Sequence, residues 1–296
     1  MNIPSPFSIF SRMHFFSSKS SSPSFQIASD LHLEVGQQYS SFKIPPTAPY
    51  LILAGDIGRL IDYDSYLAFL ASQTAQFELV FLVLGNHEFY GLSIAAGINQ
   101  AQKLEQEAVL SRKLVLLHQT RFDVPNSTTT ILGCTLWSNI PDNAREVVQT
   151  KVKDFQKILS WTVDSHNQAH ESDLAWLIQH TAKIGRDNSS RAKGDQKRNV
   201  LVVTHHAPSV EETSSLKNVK NPWSSAFATN LLEEASNWKG IKMWIFGHTH
   251  FTTEFKKCGI RVISNQRGYV LPQKMGDHAT NMAERSIFDI TKVVHV

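Results

Sequence analysis

The chain has 296 residues, a formal net charge of +3 and only two cysteines. Its 42% hydrophobic and 19% charged content is that of an ordinary globular chain, long enough for one large or two small domains with a sizeable core. No apolar run approaches the roughly 20 residues of a membrane helix, the mild basicity does not argue for nucleic acid, and Cys134 and Cys258 make no disulfide framework.

Residues 1–24 carry nine serines, Arg12 and Lys19, and no acid precedes Asp30. They read as a disordered extension. A serine-rich, acid-poor transit peptide is the alternative, although no arginine-bearing amphipathic helix is visible. The cysteine usage suits a reducing compartment, so a cytoplasmic protein is expected unless residues 1–24 direct it to an organelle.

From Phe25 a pattern recurs in which a short apolar run stops abruptly at polar and glycine residues. Phe25-Gln-Ile-Ala-Ser leads into Asp30-Leu-His-Leu-Glu, and Tyr50-Leu-Ile-Leu-Ala into Gly55-Asp-Ile-Gly. Leu79-Val-Phe-Leu-Val-Leu leads into Gly85-Asn-His-Glu, and Val200-Leu-Val-Val-Thr into His205-His-Ala-Pro. Ile241-Lys-Met-Trp-Ile-Phe leads into Gly247-His-Thr-His. Runs of this kind read as strands buried on both faces. Helical patterns lie between them, at 65–76, 92–112, 144–163, 172–184 and 224–238. Strands alternating with helices predict an α/β fold. After residue 250 the segments 253–257, 260–264 and 287–294 read as strands without intervening helices. Residues 185–199, with five basic and two acidic residues, read as a mobile surface loop. There is no internal repeat and no domain boundary within 25–296.

The strand ends hold the chemistry. Asp30, His32, Asp56, Asn86, His87, His205, His206, His248 and His250 all fall there, including six of the 13 histidines. Ligands in open α/β sheets sit beyond the carboxyl ends of strands. Each motif alone is weak: Asp-x-His is mostly surface, Gly-Asp is often a turn, and His205-His206 reads equally as a core histidine and its neighbour. Their joint occurrence, each after its own buried strand, predicts one metal site. Seven good ligands (Asp30, His32, Asp56, Asn86, His205, His248 and His250) exceed the needs of one ion and suit two, about 3.5–4 Å apart. A nitrogen and oxygen set without thiolate favours manganese, iron or zinc in a catalytic role.

In this order, Asp-x-His, Gly-Asp, Gly-Asn-His-Glu, a later histidine and Gly-His-x-His, the chain resembles the calcineurin-like metallophosphoesterase superfamily over nearly its whole length. The resemblance implies a four-layer αββα sandwich of two mixed sheets. It implies that Asp30, His32 and His250 bind one metal, that Asn86, His205 and His248 bind the other, and that Asp56 bridges. By the same resemblance His87 serves the phosphate or leaving group, a role an imidazole near neutral pKa can fill. Glu88 orients neighbours or is merely structural.

One departure bears on the substrate. Protein serine/threonine phosphatases of the superfamily carry Gly-Asp-x-Val-Asp-Arg-Gly, whereas Arg59 and Leu60 stand here at the Asp and Arg positions. The histidine's carboxylate partner and the phosphate-gripping arginine are therefore absent from those places. Weak gripping favours a singly charged diester, so the expected substrate is a small-molecule or nucleotide diester. A phosphomonoester is the alternative, and a non-catalytic binding scaffold the second. Candidate substrate contacts are Asn86, His87, Arg59 and His206. Phe89, Tyr90, Trp137, Ser138 and Trp223 are candidate pocket residues that core packing would equally explain. His166, His170 and His180 lie on helical segments and read as surface or core residues, with His170 also placed to reach the centre from an overlying helical insertion. A nuclease would need a longer basic groove than the one basic loop offers, so no nucleic-acid partner is expected. Oligomeric state is not legible.

Overall fold

The computed structural model describes residues 22–192, 194–215, 218, 220–270 and 287–296. Of the extension 1–24, residues 1–21 lie outside the described residues.

Eleven strands among the described residues form two sheets. The first has the order β11-β1-β2-β3-β4, from Val293–His295, Ser24–Ala28, Tyr50–Ala54, Leu79–Val83 and Leu114–Leu116. The second has the order β5-β6-β7-β8-β10-β9, from Thr120–Asp123, Thr129–Cys134, Asn199–Thr204, Ile241–Phe246, Ile260–Ser264 and Glu254–Lys257. Neighbours from β1 to β4 are parallel, as are β6, β7, β8 and β10, and the antiparallel strands β11, β5 and β9 close three of the four edges. Both sheets are thus mixed.

Side-chain alternation explains why the central strands are apolar throughout. Ile52, Phe81, Val83, Leu201, Val203 and Ile245 point into a core between the two sheets. Leu51, Leu53, Val80 and Leu82 point the other way, onto helices α1 (Tyr63–Thr74) and α2 (Ile94–Gln106) through Tyr66, Phe69, Leu70 and Leu104. Val200, Val202, Trp244 and Val262 pack on the long helix α5 (Val163–Ser190) through Leu177 and Ile184. Helix, sheet, sheet and helix make the expected four-layer sandwich.

Several element boundaries differ from expectation. The 144–163 pattern breaks into α3 (Arg145–Lys151) and α4 (Asp154–Lys157). The 172–184 pattern is the middle of α5, which starts where Thr162 caps Ser165 N and runs on through 185–190. The polar loop is therefore shorter than the composition suggests. Residues 224–238 are not a helix but two short turns, Ser224–Ala226 and Ala235–Trp238. Here tertiary contacts override propensity. Thr229 N and Leu231 N bond to the Ala207 and Pro208 carbonyls beyond β7, and Leu232 and Trp238 are drawn into the core on α5. Among the described residues no helix is long and apolar enough to cross a membrane.

Candidate metal centre

The carboxyl ends of β1, β2, β3, β7 and β8 meet along one edge of the sandwich. Five residues just beyond them, Asp30, His32, Asp56, His248 and His250, have positive φ between 47° and 72°. The left-handed conformation is uncommon for residues with a Cβ, and Asp and His are among the types that tolerate it. It curls each loop so that successive side chains turn back to the sheet edge. The loops also pass unusually close. A Cβ on Gly85 would lie 2.2 Å from Asp56 Oδ1, and one on Gly55 would lie 2.3 Å from His205 Nδ1. Only glycine fits at either place.

Glu88 locks two of these loops together. It is fully buried, and its carboxylate accepts from Ile57 N (2.8 Å), Asp56 N (2.9 Å), Gly85 N (2.7 Å) and the Tyr66 hydroxyl (3.0 Å). Of the two readings open for Glu88, the geometry matches the orienting one.

Two sets of potential ligands sharing Asp56 result, beside a third made of His32, Glu34 and His87. Asp30, His32, Asp56 and His250 form one, and Asp56, His205 and His248 the other, with donor atoms in each set within 4.8 Å of one another. His32 Nε2 faces His250 Nε2 at 2.9 Å, and His250 Nε2 lies 3.5 Å from Asp30 Oδ1. In the second set the hydrogen-bond roles are decided from behind. His205 Nδ1 donates to the Ala54 carbonyl (2.9 Å), which leaves the Nε2 lone pair of the neutral ring facing inward. Asn86 Nδ2 donates to Asp154 Oδ1 (2.7 Å), which turns the amide oxygen the same way. Nε2 then faces Asn86 Oδ1 at 3.1 Å and Asp56 Oδ1 at 3.3 Å. Three acceptors aimed at one another need a cation between them, whether a proton or a metal ion. His248 Nε2 is buried with no hydrogen-bond partner, so it too lacks the group it faces. Second bonds that fix each ligand's outward atom are what metal sites use. The residues fit a pair of divalent ions.

The electrostatics show what this cluster draws in. Burial disfavours a charged His205, yet the Asp56 carboxylate outweighs it and pushes the imidazole up to about 10, so a proton on Nε2 competes with a metal ion for the same place. Burial likewise opposes the Asp56 charge, but His205 and His87 hold that carboxyl well below its usual range. His248 and His206 are driven down by burial and by the neighbouring His205, which together outweigh the pull of Asp56.

His87 sits at the rim of this centre. Its Nδ1 meets Glu34 Oε1 at 2.7 Å and its Nε2 meets the Tyr269 hydroxyl at 2.9 Å. The carboxylate missing from position 59 thus arrives from the first motif instead. Arg59 binds Asp62 through two nitrogens (2.9 and 3.0 Å) and does not line the cavity over the centre. His206 lies behind His248, stacked on it at 4.1 Å and fully buried, also outside the cavity lining. The cavity, of about 310 Å³, is lined by His87, Tyr90, Trp223 and Tyr269 among others, with exposed Lys151 and Lys153 also in its lining. A second cavity of about 240 Å³ adjoins it across Trp223 and Phe227. Phe89 and Trp137 are core residues. His170 is tied to the Leu136 carbonyl, and His166 is buried against Trp137. Sequence reasoning missed Glu34, Asp154 and Tyr269. Only Glu34 left a signal, standing two residues beyond His32.

A family model described as calcineurin-like phosphoesterase matches residues 25–251. The chain belongs to the calcineurin-like phosphoesterase family. That makes it a metallophosphoesterase, a hydrolase of phosphoric esters, in a family that is typically dependent on two metals. Among proteins, it is 26% identical over 270 residues to the uncharacterized protein L509 of Acanthamoeba polyphaga mimivirus, spanning 81% of this chain and 89% of that one. Among structures, it resembles a phosphopantetheinyl hydrolase from Mycobacterium tuberculosis, with TM-score 0.61, 16% identity, and coverage of 84% of this chain and 91% of that one. At that identity the likeness is one of fold. A dimetal phosphatase from Danio rerio aligns with TM-score 0.47 and 15% identity over 82% of this chain and 87% of that one.

Proposed function

We propose that this calcineurin-like phosphoesterase is a phosphodiesterase acting on a small-molecule or nucleotide diester with two divalent ions. Asp30, His32 and His250 would hold one ion and Asn86, His205 and His248 the other, with Asp56 shared. Manganese, iron and zinc all suit these nitrogen and oxygen donors. When bound, the ions supply Lewis acidity that activates water and neutralises phosphoryl oxygens.

The protein's own groups do the rest. Glu34 holds His87 by Nδ1, so Nε2 faces the cavity and serves the leaving oxygen. Asn86, fixed by Asp154, keeps its oxygen on the ion side. The observation that carries the diester reading is the arginine. With Arg59 committed to Asp62, no arginine grips the phosphoryl group; the inner cavity offers it hydroxyls and the single imidazolium of His87, and the two lysines are exposed. That suits a phosphate with one charge rather than two. The pairing of β11 with β1 supports reading 25–296 as a single domain. The free thiols of Cys134 and Cys258 support a reducing, intracellular setting.

The test is hydrolysis of bis(p-nitrophenyl) phosphate against p-nitrophenyl phosphate, before and after chelation and metal add-back. Chelator-sensitive preference for the diester is expected. Preference for the monoester would replace the diester reading with a phosphatase, and no turnover of either by metal-loaded protein would favour a binding scaffold.

A further inference from the structure

Tyr269 has no place in the sequence motifs, yet it occupies the position next to the reacting group. His87 Nδ1 is committed to Glu34 at 2.7 Å, so Nε2 is the ring's route into the cavity. The ring cannot readily turn, because Tyr90 and His32 flank it at 4.2 and 4.4 Å. Nε2 points at the Tyr269 hydroxyl, 2.9 Å away. Tyr269 is itself held. Its ring lies on His32 at 4.2 Å and edge-on to His250 at 4.8 Å. Its chain is tied to the first motif just upstream, where Arg267 N and Gly268 N donate to the Ser29 and Asp30 carbonyls. The residue is nevertheless 47% exposed and lines the cavity over the centre.

We propose that Tyr269 is a catalytic residue whose hydroxyl stands between His87 and the leaving-group oxygen and passes the proton. The inference rests on the reading of His87 as the group that serves that oxygen, for a diester or a monoester alike. As the attacking hydroxide forms its bond to phosphorus, the bond to the leaving oxygen breaks and its electron pair stays on that oxygen. The leaving oxygen takes the tyrosine proton, the tyrosine oxygen takes the proton from His87 Nε2, and Nδ1–H remains on Glu34. Tyrosine ends as it began, and His87 ends neutral. Hydroxyls serve in such chains because they donate and accept at once.

The experiment compares metal-loaded wild type, Tyr269→Phe, His87→Ala and the double variant on methyl phenyl phosphate and methyl p-nitrophenyl phosphate. Phenol is a poor leaving group and gains from a proton; p-nitrophenol leaves without one. Tyr269→Phe should lose about a hundredfold in kcat on the phenyl ester and less than about threefold on the nitrophenyl ester. The double variant should be no slower than His87→Ala, since two members of one relay are not additive. Equal loss on both esters would show that Tyr269 only shapes the site. No loss on either would show that it swings aside and His87 delivers the proton directly. Both results overturn the proposal. His87→Ala tests the underlying reading separately: without its own leaving-group dependence, the role of His87 fails whatever Tyr269 does.

Discussion

Replacing Glu88 with glutamine keeps the side chain's shape and exchanges one acceptor oxygen for an NH2 donor. In the wild type, Oε1 takes Ile57 N and the Tyr66 hydroxyl, while Oε2 takes Asp56 N and Gly85 N. If the NH2 takes the Oε2 place, Asp56 N and Gly85 N both lose their acceptor; if it takes the Oε1 place, Ile57 N loses its acceptor while the Tyr66 hydroxyl can turn and accept. A buried donor left unpaired costs about 1–3 kcal/mol, so even the better orientation costs about that much. That is a large fraction of the roughly 5–15 kcal/mol that holds a domain folded. The damage should also reach function. Asp56 keeps its positive φ, and Gly85 its close approach, in loops bonded to this carboxylate, so metal affinity should fall about 10–100-fold, as when an outer partner of a ligand is lost. Urea denaturation of the metal-free protein measures the first quantity and competition with a coloured chelator the second. A Glu88→Gln variant within about 1 kcal/mol of wild type, with unchanged metal affinity, would refute the view that this carboxylate holds the two loops.

Three further outcomes are expected. His248→Ala and His250→Ala should each bind about one ion fewer per chain by elemental analysis while keeping the fold, and full metal content in either would break the two-ion assignment. Arg59→Ala should change kcat/KM by less than about threefold and stability by under about 1 kcal/mol, because its exposed pair with Asp62 stands off the cavity; a large rise in KM would restore it as a phosphate grip. Burial pushes the Asp173 carboxyl up to about 6 from 3.8, so the native chain holds an extra proton between those values and wild-type stability falls as pH rises through them. Asp173→Asn, which can still accept from Leu136 N, should therefore gain on wild type by about 3 kcal/mol between pH 3.5 and 7.5 in urea melts, and a difference independent of pH would count against it.

Much of the site was legible because its parts are local. Asp30, Asp56, Asn86, His205 and His248 each follow directly on a buried strand, and a parallel α/β arrangement brings such ends to one edge. What sequence spacing could not carry was pairing across the fold. Tyr269 reaches His87 over 182 positions, and Glu34 reaches it over 53. Two carboxylates with similar surroundings in sequence, Glu34 and Glu88, take opposite tasks, one on an imidazole and one on backbone amides. Residues 224–238 carry helix-favouring side chains, but their backbone bonds are claimed by Ala207 and Pro208. The polar stretch 185–190 was misread the other way, because α5 continues past Ile184, its last buried residue, and Asn188 bonds to Arg198.

His32 and His250 face each other at 2.9 Å across 218 positions of chain, which has a consequence in time. At about 5–20 residues per second, a ribosome needs roughly 10–40 s to deliver the second histidine after the first. Throughout that interval Asp30 and His32 wait beside β1, whose outer edge also stays open until residues 293–295 arrive as β11. The nascent chain therefore holds half of each pairing and a bare strand edge, the surface that invites wrong partners. Metal capture by the full set of donors would wait for residues 248–250, and its onset would clock the moment when the loops after β1 and β8 meet.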